Sequence, residues 1–420
     1  MLHDLQRYMS DHRIDAWLIY DFRASNPVLA QLFPPPLSPA GAPTKRWTTR
    51  RVYALIPARG TPRLLVSAID AAQFAALPST GESAVEQTVY ISWKQMHEWL
   101  HTHVAPCARV AMEYVPGGDL PAMSFADAGT VEFIRALGGA RPLDVVSSAD
   151  LVQVSIARWS PDAVRLHDDA STKVAAIKDD AFALIRSRLR ANQPIHEHEV
   201  GRFIMDAFAK AGLITNDEPV VAANAHAGDP HYGPSPERPT PIRKGDWILI
   251  DLWARHPGES NIFADITWCG CAVASQSEVP AQHRKAFETV KAARDASLKL
   301  AMDSWGAPQK GAGDGGGGVQ GWQLDDAAYQ VIVAAGYEPF IRHRTGHSLS
   351  GGPLVHGLGM NLDNLETHDT RLMLPGIGFT IEPGVYTPEL GARLEINIYV
   401  DPKIGPRVTS PMQDDVVLVG

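Results

Sequence analysis

Short apolar runs punctuate the first third of the chain and predict strands over Asp15–Tyr20, Arg51–Ile56, Arg63–Val66, Thr88–Ile91 and Arg109–Tyr114. Helical stretches fall between them, so this region reads as a mixed α/β module. The pattern then changes. Ser160 and Pro161 supply a helix N-cap and a proline at the first helical position, after which Val174, Ile177, Ala181 and Leu184 share one apolar helical face. The boundary is placed just before this helix, giving domains 1–157 and 158–420. Further helices are predicted over Val200–Ala211, Ala281–Met302 and Leu324–Ala335, the first and last closed by Gly212 and Gly336. Phe33-Pro-Pro-Pro-Leu-Ser-Pro39 reads as an extended surface loop.

Four more strands are predicted in the second region, and each carries an acid. Asp251 lies in Trp247–Leu252, Asp265 in Ile262–Trp268, Glu382 in Phe379–Glu382 and Glu395 in Arg393–Val400. Taken singly, each acid fits the wet face of a half-buried strand. Taken together with His347, they have the composition of a two-metal hydrolytic site. A buried carboxylate without a partner costs several kcal/mol or protonates, so four converging acids need cations. Oxygen ligands with one imidazole suit Mn, Co, Fe or Zn, and carboxylates bridge two ions about 3.5–4 Å apart. Within Arg393–Val400 the alternation puts Arg393 on the face of Glu395, Asn397 and Tyr399, toward the metals, to neutralise carboxylate charge or to hold a substrate carboxylate.

Five segments in this order, Leu249-Ile-Asp251-Leu, Ala264-Asp265-Ile-Thr, His343-Arg-Thr-Gly-His347-Ser, Thr380-Ile-Glu382-Pro-Gly-Val-Tyr386 and Arg393-Leu-Glu395, resemble the pita-bread metallopeptidases. That family includes Xaa-Pro aminopeptidases, prolidases and methionine aminopeptidases. The resemblance implies an α+β fold: a pita-bread catalytic domain over 158–420 with a curved antiparallel sheet of duplicated halves, preceded by a smaller creatinase-type α/β domain over 1–157. It implies two divalent ions, Mn first and Co, Zn or Fe as substitutes. Asp251 would bind one ion, Asp265 and Glu395 would bridge both, and His347 with Glu382 would hold the second. A metal-bridging water or hydroxide would be the nucleophile, with Glu382 shuttling its proton. His231, in Asp229-Pro-His231-Tyr232, and His356, in Leu354-Val-His356-Gly357, match the family's transition-state positions. His343 matches as support for the metal histidine on the substrate side.

The implied activity is hydrolysis of the bond before proline, as an Xaa-Pro aminopeptidase or an Xaa-Pro dipeptidase acting on short peptides. The large N-terminal domain favours these over methionine aminopeptidases. A creatinase-like C–N hydrolase or lyase on the same scaffold is the alternative. Three departures accompany the resemblance. His256-Pro-Gly-Glu-Ser260 lengthens the stretch between Asp251 and Asp265, Gly351-Gly-Pro353 lengthens that between His347 and His356, and Asn397 stands where members often carry an acid. The arginine that grips a dipeptide's carboxylate is missing near Met360 and in Thr387–Ala392, leaving Arg393, Arg342, Arg344 or a residue from elsewhere for that role.

Composition limits the partners. The 420 residues, 45% hydrophobic and 20% charged, suffice for two cores. A net charge of −9 without a long basic stretch argues against a nucleic-acid partner. No run of eighteen apolar residues occurs, and Met1–Tyr8 lacks the apolar core of a signal peptide, so no membrane association and a cytoplasmic location are expected. Cys107, Cys269 and Cys271 make no disulfide framework; the Cys269–Cys271 pair reads as buried and apolar. Family resemblance implies a homodimer. Gly311-Ala-Gly-Asp-Gly-Gly-Gly-Gly318 lacks the lysine and hydroxyl residue of a phosphate loop and reads as a linker, and His196-Glu-His-Glu199 lacks the i, i+4 histidines of a zinc-protease helix and reads as an exposed helix start.

Overall fold

A computed structural model describes residues 2–35, 46–81, 83–306 and 318–420. Most of the Phe33–Pro39 loop and residues 311–317 of the glycine-rich segment lie outside the described residues. The chain divides into two compact units, Met1–Ile156 and Ala157–Gly420.

The first unit runs α1 (Leu2–Asp11), β1 (Ala16–Phe22), α2 (Pro27–Leu32), β2 (Arg51–Pro57), β3 (Arg63–Ser67), β4 (Glu86–Tyr90), α3 (Trp93–His103), β5 (Arg109–Met112), α4 (Ala128–Ala136), β6 (Asp144–Ser147) and α5 (Ala149–Ser155). Its strands form one mixed sheet in the order β4-β3-β2-β1-β5-β6. The central strand β1 is apolar and buried on both faces, as a strand covered on both sides must be. Helix α3 starts at a reciprocal cap between Ser92 and Gln95, and α4 at Asp127, whose carboxylate accepts the Thr130 N–H at 2.8 Å. Met96 and Leu100 from α3 and Val131 and Ile134 from α4 pack on Leu18, Leu55 and Val110 of the sheet.

The second unit runs α6 (Pro161–Arg190), α7 (Glu197–Lys210), β7 (Val220–Ala223), β8 (Trp247–Ala254), β9 (Ala264–Cys271), α8 (Ala281–Asp303), α9 (Gly321–Ala334), β10 (Ser348–Leu349), β11 (Gly378–Ile381), β12 (Gly384–Tyr386), β13 (Gly391–Arg393), β14 (Ile396–Asp401), β15 (Gly405–Val408) and β16 (Val417–Leu418). Its sheets are β16-β9-β8-β7, β10-β11-β14-β15 and the ribbon β12-β13. All these pairs are antiparallel except β16 on β9, which is parallel.

Period-2 alternation sorts the residues of β8 and β9. Ile248, Ile250 and Leu252 of β8 and Ala264 and Ile266 of β9 pack under α6 and α7. Trp247, Leu249, Cys269 and Cys271 face the other way, toward α8 and the β12-β13 ribbon. Asp251, Asp265 and Thr267 therefore belong to this second face. The cysteines are free and buried, and burial pushes the Cys269 thiol up to about 12, in keeping with an apolar role.

Several elements differ from the sequence pattern. On α6 the buried stripe continues from Ala181 to Ile185 and Leu189, with Phe182 beside it, and Leu184 is only half-buried, because the helix drifts against the sheet over its thirty residues. The strand bearing Asp265 starts at Ala264 rather than Ile262. The predicted strand Arg393–Val400 is two strands interrupted at Leu394 and Glu395. There the Glu395 N–H bonds to the Thr267 carbonyl of β9, 3.1 Å away, and leaves the local ladder.

Candidate metal centre

Five elements deliver the acids and the histidine to one place. Asp251 and Asp265 come from β8 and β9, where the register sets Thr267 opposite Asp251. His347 immediately precedes β10. Gly346 makes that approach feasible, since a Cβ there would lie 2.1 Å from the Thr380 carbonyl oxygen. Glu382 follows β11, and Glu395 occupies the break between β13 and β14. Asn397 fixes the main chain of Asp265 from both sides: its Oδ1 accepts the Asp265 N–H at 2.9 Å, and its Nδ2 donates to the Asp265 carbonyl.

Asp265, His347 and Glu395 bring one ligand atom each within 4.8 Å of the others, and all three are buried. His347 Nε2 lies 3.4 Å from Asp265 Oδ2 and 3.4 Å from Glu382 Oε1. Its Nδ1 bonds to the Ser348 carbonyl at 3.1 Å, which orients the ring and leaves Nε2 for the carboxylates. Thr267 links the remaining acids. Its hydroxyl lies 2.8 Å from Asp251 Oδ1 and 2.9 Å from Glu395 Oε2, and it receives the Arg393 Nε–H at 2.9 Å.

Electrostatics follow from this crowding. Burial and the charges of Asp265, Glu382 and Asp251 hold Glu395 well above the usual carboxylate range. Burial, reinforced by Asp251, pushes Asp265 up to about 7, and burial raises Asp251 although Arg393 and Thr267 oppose it. Glu382 is half-buried and is displaced downward: burial raises it, but His347, His343 and Arg393 together outweigh that. For His347 burial pulls the imidazole down, and Asp265 and Glu382 more than offset it. Glu395 Oε1 is buried with no hydrogen-bond partner among the described residues. An oxygen-rich set with one imidazole and an orphaned buried carboxylate oxygen fits hard or borderline divalent cations.

The other predicted residues surround this set in different ways. His356 has an exposed edge, yet its ring centroid is 4.1 Å from that of His347, and the charge of His347 together with burial pulls it down to about 3. His231 is exposed, its backbone N–H on Asp229 at 3.0 Å. His343 donates from Nδ1 to the Arg344 carbonyl at 2.7 Å, its Nε2 meets the Tyr386 hydroxyl at 2.6 Å, and burial draws the imidazole below its ordinary value. Arg393 spends all its nitrogens inside the site: Nη2 on Asp251, Nε on Thr267 and Nη1 on Tyr386 at 3.0 Å. Arg344 is paired with Glu366 at 3.2 Å, and Arg342 donates to the Pro339 and Ile341 carbonyls.

Three participants carry no assignment in the sequence reading. Thr267 shares the β9 face of Asp265, two residues on, and that parity was the available signal. Tyr386 closes one of the quoted segments. Glu197 lies in the stretch read as an exposed helix start, but it is buried: it accepts the Ala223 N–H at 2.6 Å, His226 Nδ1 at 3.1 Å and the Tyr232 hydroxyl at 2.5 Å. It thereby anchors the loop bearing His231, and no local pattern announces that.

Comparison with known proteins gives matches that include these segments. Residues 169–402 match the model of metallopeptidase family M24. The chain is 28% identical over 233 residues to the probable dipeptidase PepE of Mycobacterium tuberculosis, covering 54% of this chain and 52% of the relative. It is 26% identical over 179 residues to an Xaa-Pro dipeptidase of Lactobacillus helveticus, covering 42% and 40%. The matches thus span about half the length of these curated relatives or less. Among solved structures, an X-prolyl aminopeptidase from Caenorhabditis elegans, described as a cytosolic enzyme with a di-nuclear active site, superposes with a TM-score of 0.64 at 16% identity, covering 98% of this chain and 62% of that one.

Proposed function

Since this chain belongs to metallopeptidase family M24 and has its pita-bread fold, we propose that it hydrolyses the bond before proline in short peptides, as an Xaa-Pro dipeptidase or aminopeptidase. One observation carries the reading: Asp265, His347 and Glu395 bring one ligand atom each within 4.8 Å of the others, and Glu395 Oε1 is buried with no hydrogen-bond partner among the described residues. Asp251, Asp265, His347, Glu382 and Glu395 would hold two divalent cations, Mn²⁺ first. Bound there, the cations would polarise the scissile carbonyl and bring a water's pKa to about 7.

The protein's own groups supply the remainder. Glu382, kept ionised by the cationic groups around it, takes the proton of the attacking water and passes it to the leaving amine. His356 and His231, at the open side, donate to the developing oxyanion and orient the amide. Arg393 opposes the rise that burial imposes on Asp251, and Tyr386 with His343 holds Arg393 in place. In this reading residues 158–420 are the catalytic domain and 1–157 a creatinase-type domain. Proline direction is supported by the likeness to the Lactobacillus and Caenorhabditis enzymes, and a cytoplasmic location by the latter and by free cysteines. None of the helices among the described residues is long and apolar enough to cross a membrane. The expected homodimer belongs to the same reading.

The test is mass-spectrometric turnover of Ala-Pro and Ala-Pro-Ala by protein stripped of metal and reloaded with Mn²⁺. Metal-dependent release of Ala from either peptide is the expected result, and the preferred peptide separates dipeptidase from aminopeptidase. No cleavage of either by metal-loaded protein would refute the proline-directed reading in favour of another C–N substrate.

A further inference from the structure

The two lengthened stretches, 256–260 and 351–353, touch each other, and a buried side chain and a main-chain bond hold them together. Arg255 follows β8 directly and is 4% exposed. Its guanidinium lies 4.4 Å from the Phe263 ring centroid, and its Nη1 reaches three main-chain carbonyls: Gly352 at 2.6 Å, Asn261 at 2.9 Å and Glu259 at 3.3 Å. The Gly352 N–H returns a bond to the Glu259 carbonyl at 2.7 Å. Gly352 has φ +143°, a conformation that side-chain-bearing residues rarely adopt, so the tip is shaped for this contact.

The position of the contact gives it a consequence. Residues 255–263 join the strand of Asp251 to the strand of Asp265. Residues 350–357 lead from β10, beside His347, to His356. The base of that loop is closed by the Gly357 N–H on the Ser348 carbonyl at 2.7 Å and the Leu358 N–H on Ser350 Oγ at 3.1 Å. Its tip is closed by Arg255. A buried guanidinium is costly unless its donors are used; here Nη1 is used by main-chain carbonyls of both loops, while Nε is buried with no hydrogen-bond partner among the described residues.

We propose that Arg255 is a positioning residue, a clasp that makes the β8–β9 turn and the His356 loop move as one body and so sets His356 against His347. The catalytic part of this inference rests on the peptidase reading, whereas the mechanical part does not. Hydrogen exchange read by mass spectrometry on the full chain tests the mechanical part. Arg255→Ala is expected to speed exchange in 256–261 and 350–357 together, with 247–252 and 378–382 unchanged. Faster exchange confined to 256–261 would overturn the clasp. Should Arg255→Ala fail to fold, Arg255→Lys, which keeps the charge and the ring contact but spans fewer carbonyls, is to show the same paired rise at smaller amplitude.

Turnover then tests the positioning. Arg255→Ala is expected to lower kcat about 10- to 100-fold with KM and metal content little changed. In a His356→Ala background it is expected to add almost nothing, because its effect runs through that ring. Losses that multiply across the two substitutions would overturn the positioning role. If the wild-type protein cleaves neither peptide, the peptidase reading fails on its own, and the exchange result alone decides for or against the clasp.

Discussion

Arg393 is ion-paired to Asp251 in the interior of the candidate metal centre, with both side chains almost withdrawn from solvent. Such a pair is costly to break from one side, because the surviving charge has no water to turn to. Arg393→Met is expected to destabilise the metal-free protein by about 3 kcal/mol. Added Mn²⁺ should then recover more stability than it adds to the wild type, since a cation replaces the lost charge. Scanning calorimetry with and without metal reads both. An equal metal-induced gain in the two proteins would show that Arg393 does not balance the carboxylates.

Cation binding should release protons, and fewer of them as the pH rises. Burial and neighbouring acids hold Glu395 far above the ordinary carboxylate range, and burial brings Asp265 to about 7. Near pH 6 Asp265 is protonated and must give up its proton to bind metal, whereas near pH 8.5 it is already ionised. Calorimetric titration with Mn²⁺ in buffers of different ionisation enthalpy counts the protons. A release that does not depend on pH would contradict the assignment of Asp265 as a ligand.

Substitutions at the reacting end should separate chemistry from metal retention. Glu382→Ala is expected to lose activity by orders of magnitude while the protein stays folded. His231→Ala and His356→Ala should each lose about 100-fold in kcat with metal content retained, as removal of an oxyanion donor does. Elemental analysis alongside the kinetics decides: parallel loss of metal would make either histidine structural.

A separate titration is built into the first unit. Glu113 is completely buried, accepting Trp17 Nε1 at 2.6 Å, Asn26 Nδ2 at 2.9 Å and Ser148 Oγ at 3.0 Å, and burial outweighs these donors to raise it from 4.5 to about 7. Because the folded-state value lies above the unfolded one, this group's contribution is complete below about pH 4.5 and is lost as the pH climbs through about 7, a change of about 3 kcal/mol. Glu113→Gln cannot titrate but sets an amide against three donors. It should be less stable than wild type near pH 5, with the gap narrowing by about 3 kcal/mol toward pH 8 in urea unfolding. A gap constant with pH would mean that Glu113 is ionised throughout.

Much of the site was legible because strands announce their faces. Acids recurring inside apolar runs mark Asp251, Asp265 and Glu395, and the motif order carries His347 and Glu382. What escaped was set by contacts distant in sequence. The break after Arg393 exists because Glu395 donates to the Thr267 carbonyl across another sheet, and no local propensity encodes that. Strand parity sets Arg393 on the face of Glu395, and its nitrogens lie on Asp251, Thr267 and Tyr386 although the strand is interrupted. Glu197 looked like a solvated helix start because its partners, His226 and Tyr232, lie about 30 residues away.

The parallel pairing of β16 with β9 bears on how the site is assembled in time. Strand β9 gains its β8 neighbour across a turn, within moments of synthesis, whereas the neighbour on its other side, Val417–Leu418, arrives roughly 150 residues later. Until then the strand carrying Asp265 has an open edge, a template for unwanted strand pairing. In the finished fold Arg186, on the preceding long helix α6, holds the Leu418 carbonyl, 2.7 Å from its Nη2. Birth order thus makes the docking of Val417–Leu418 the step that seals the strand carrying Asp265.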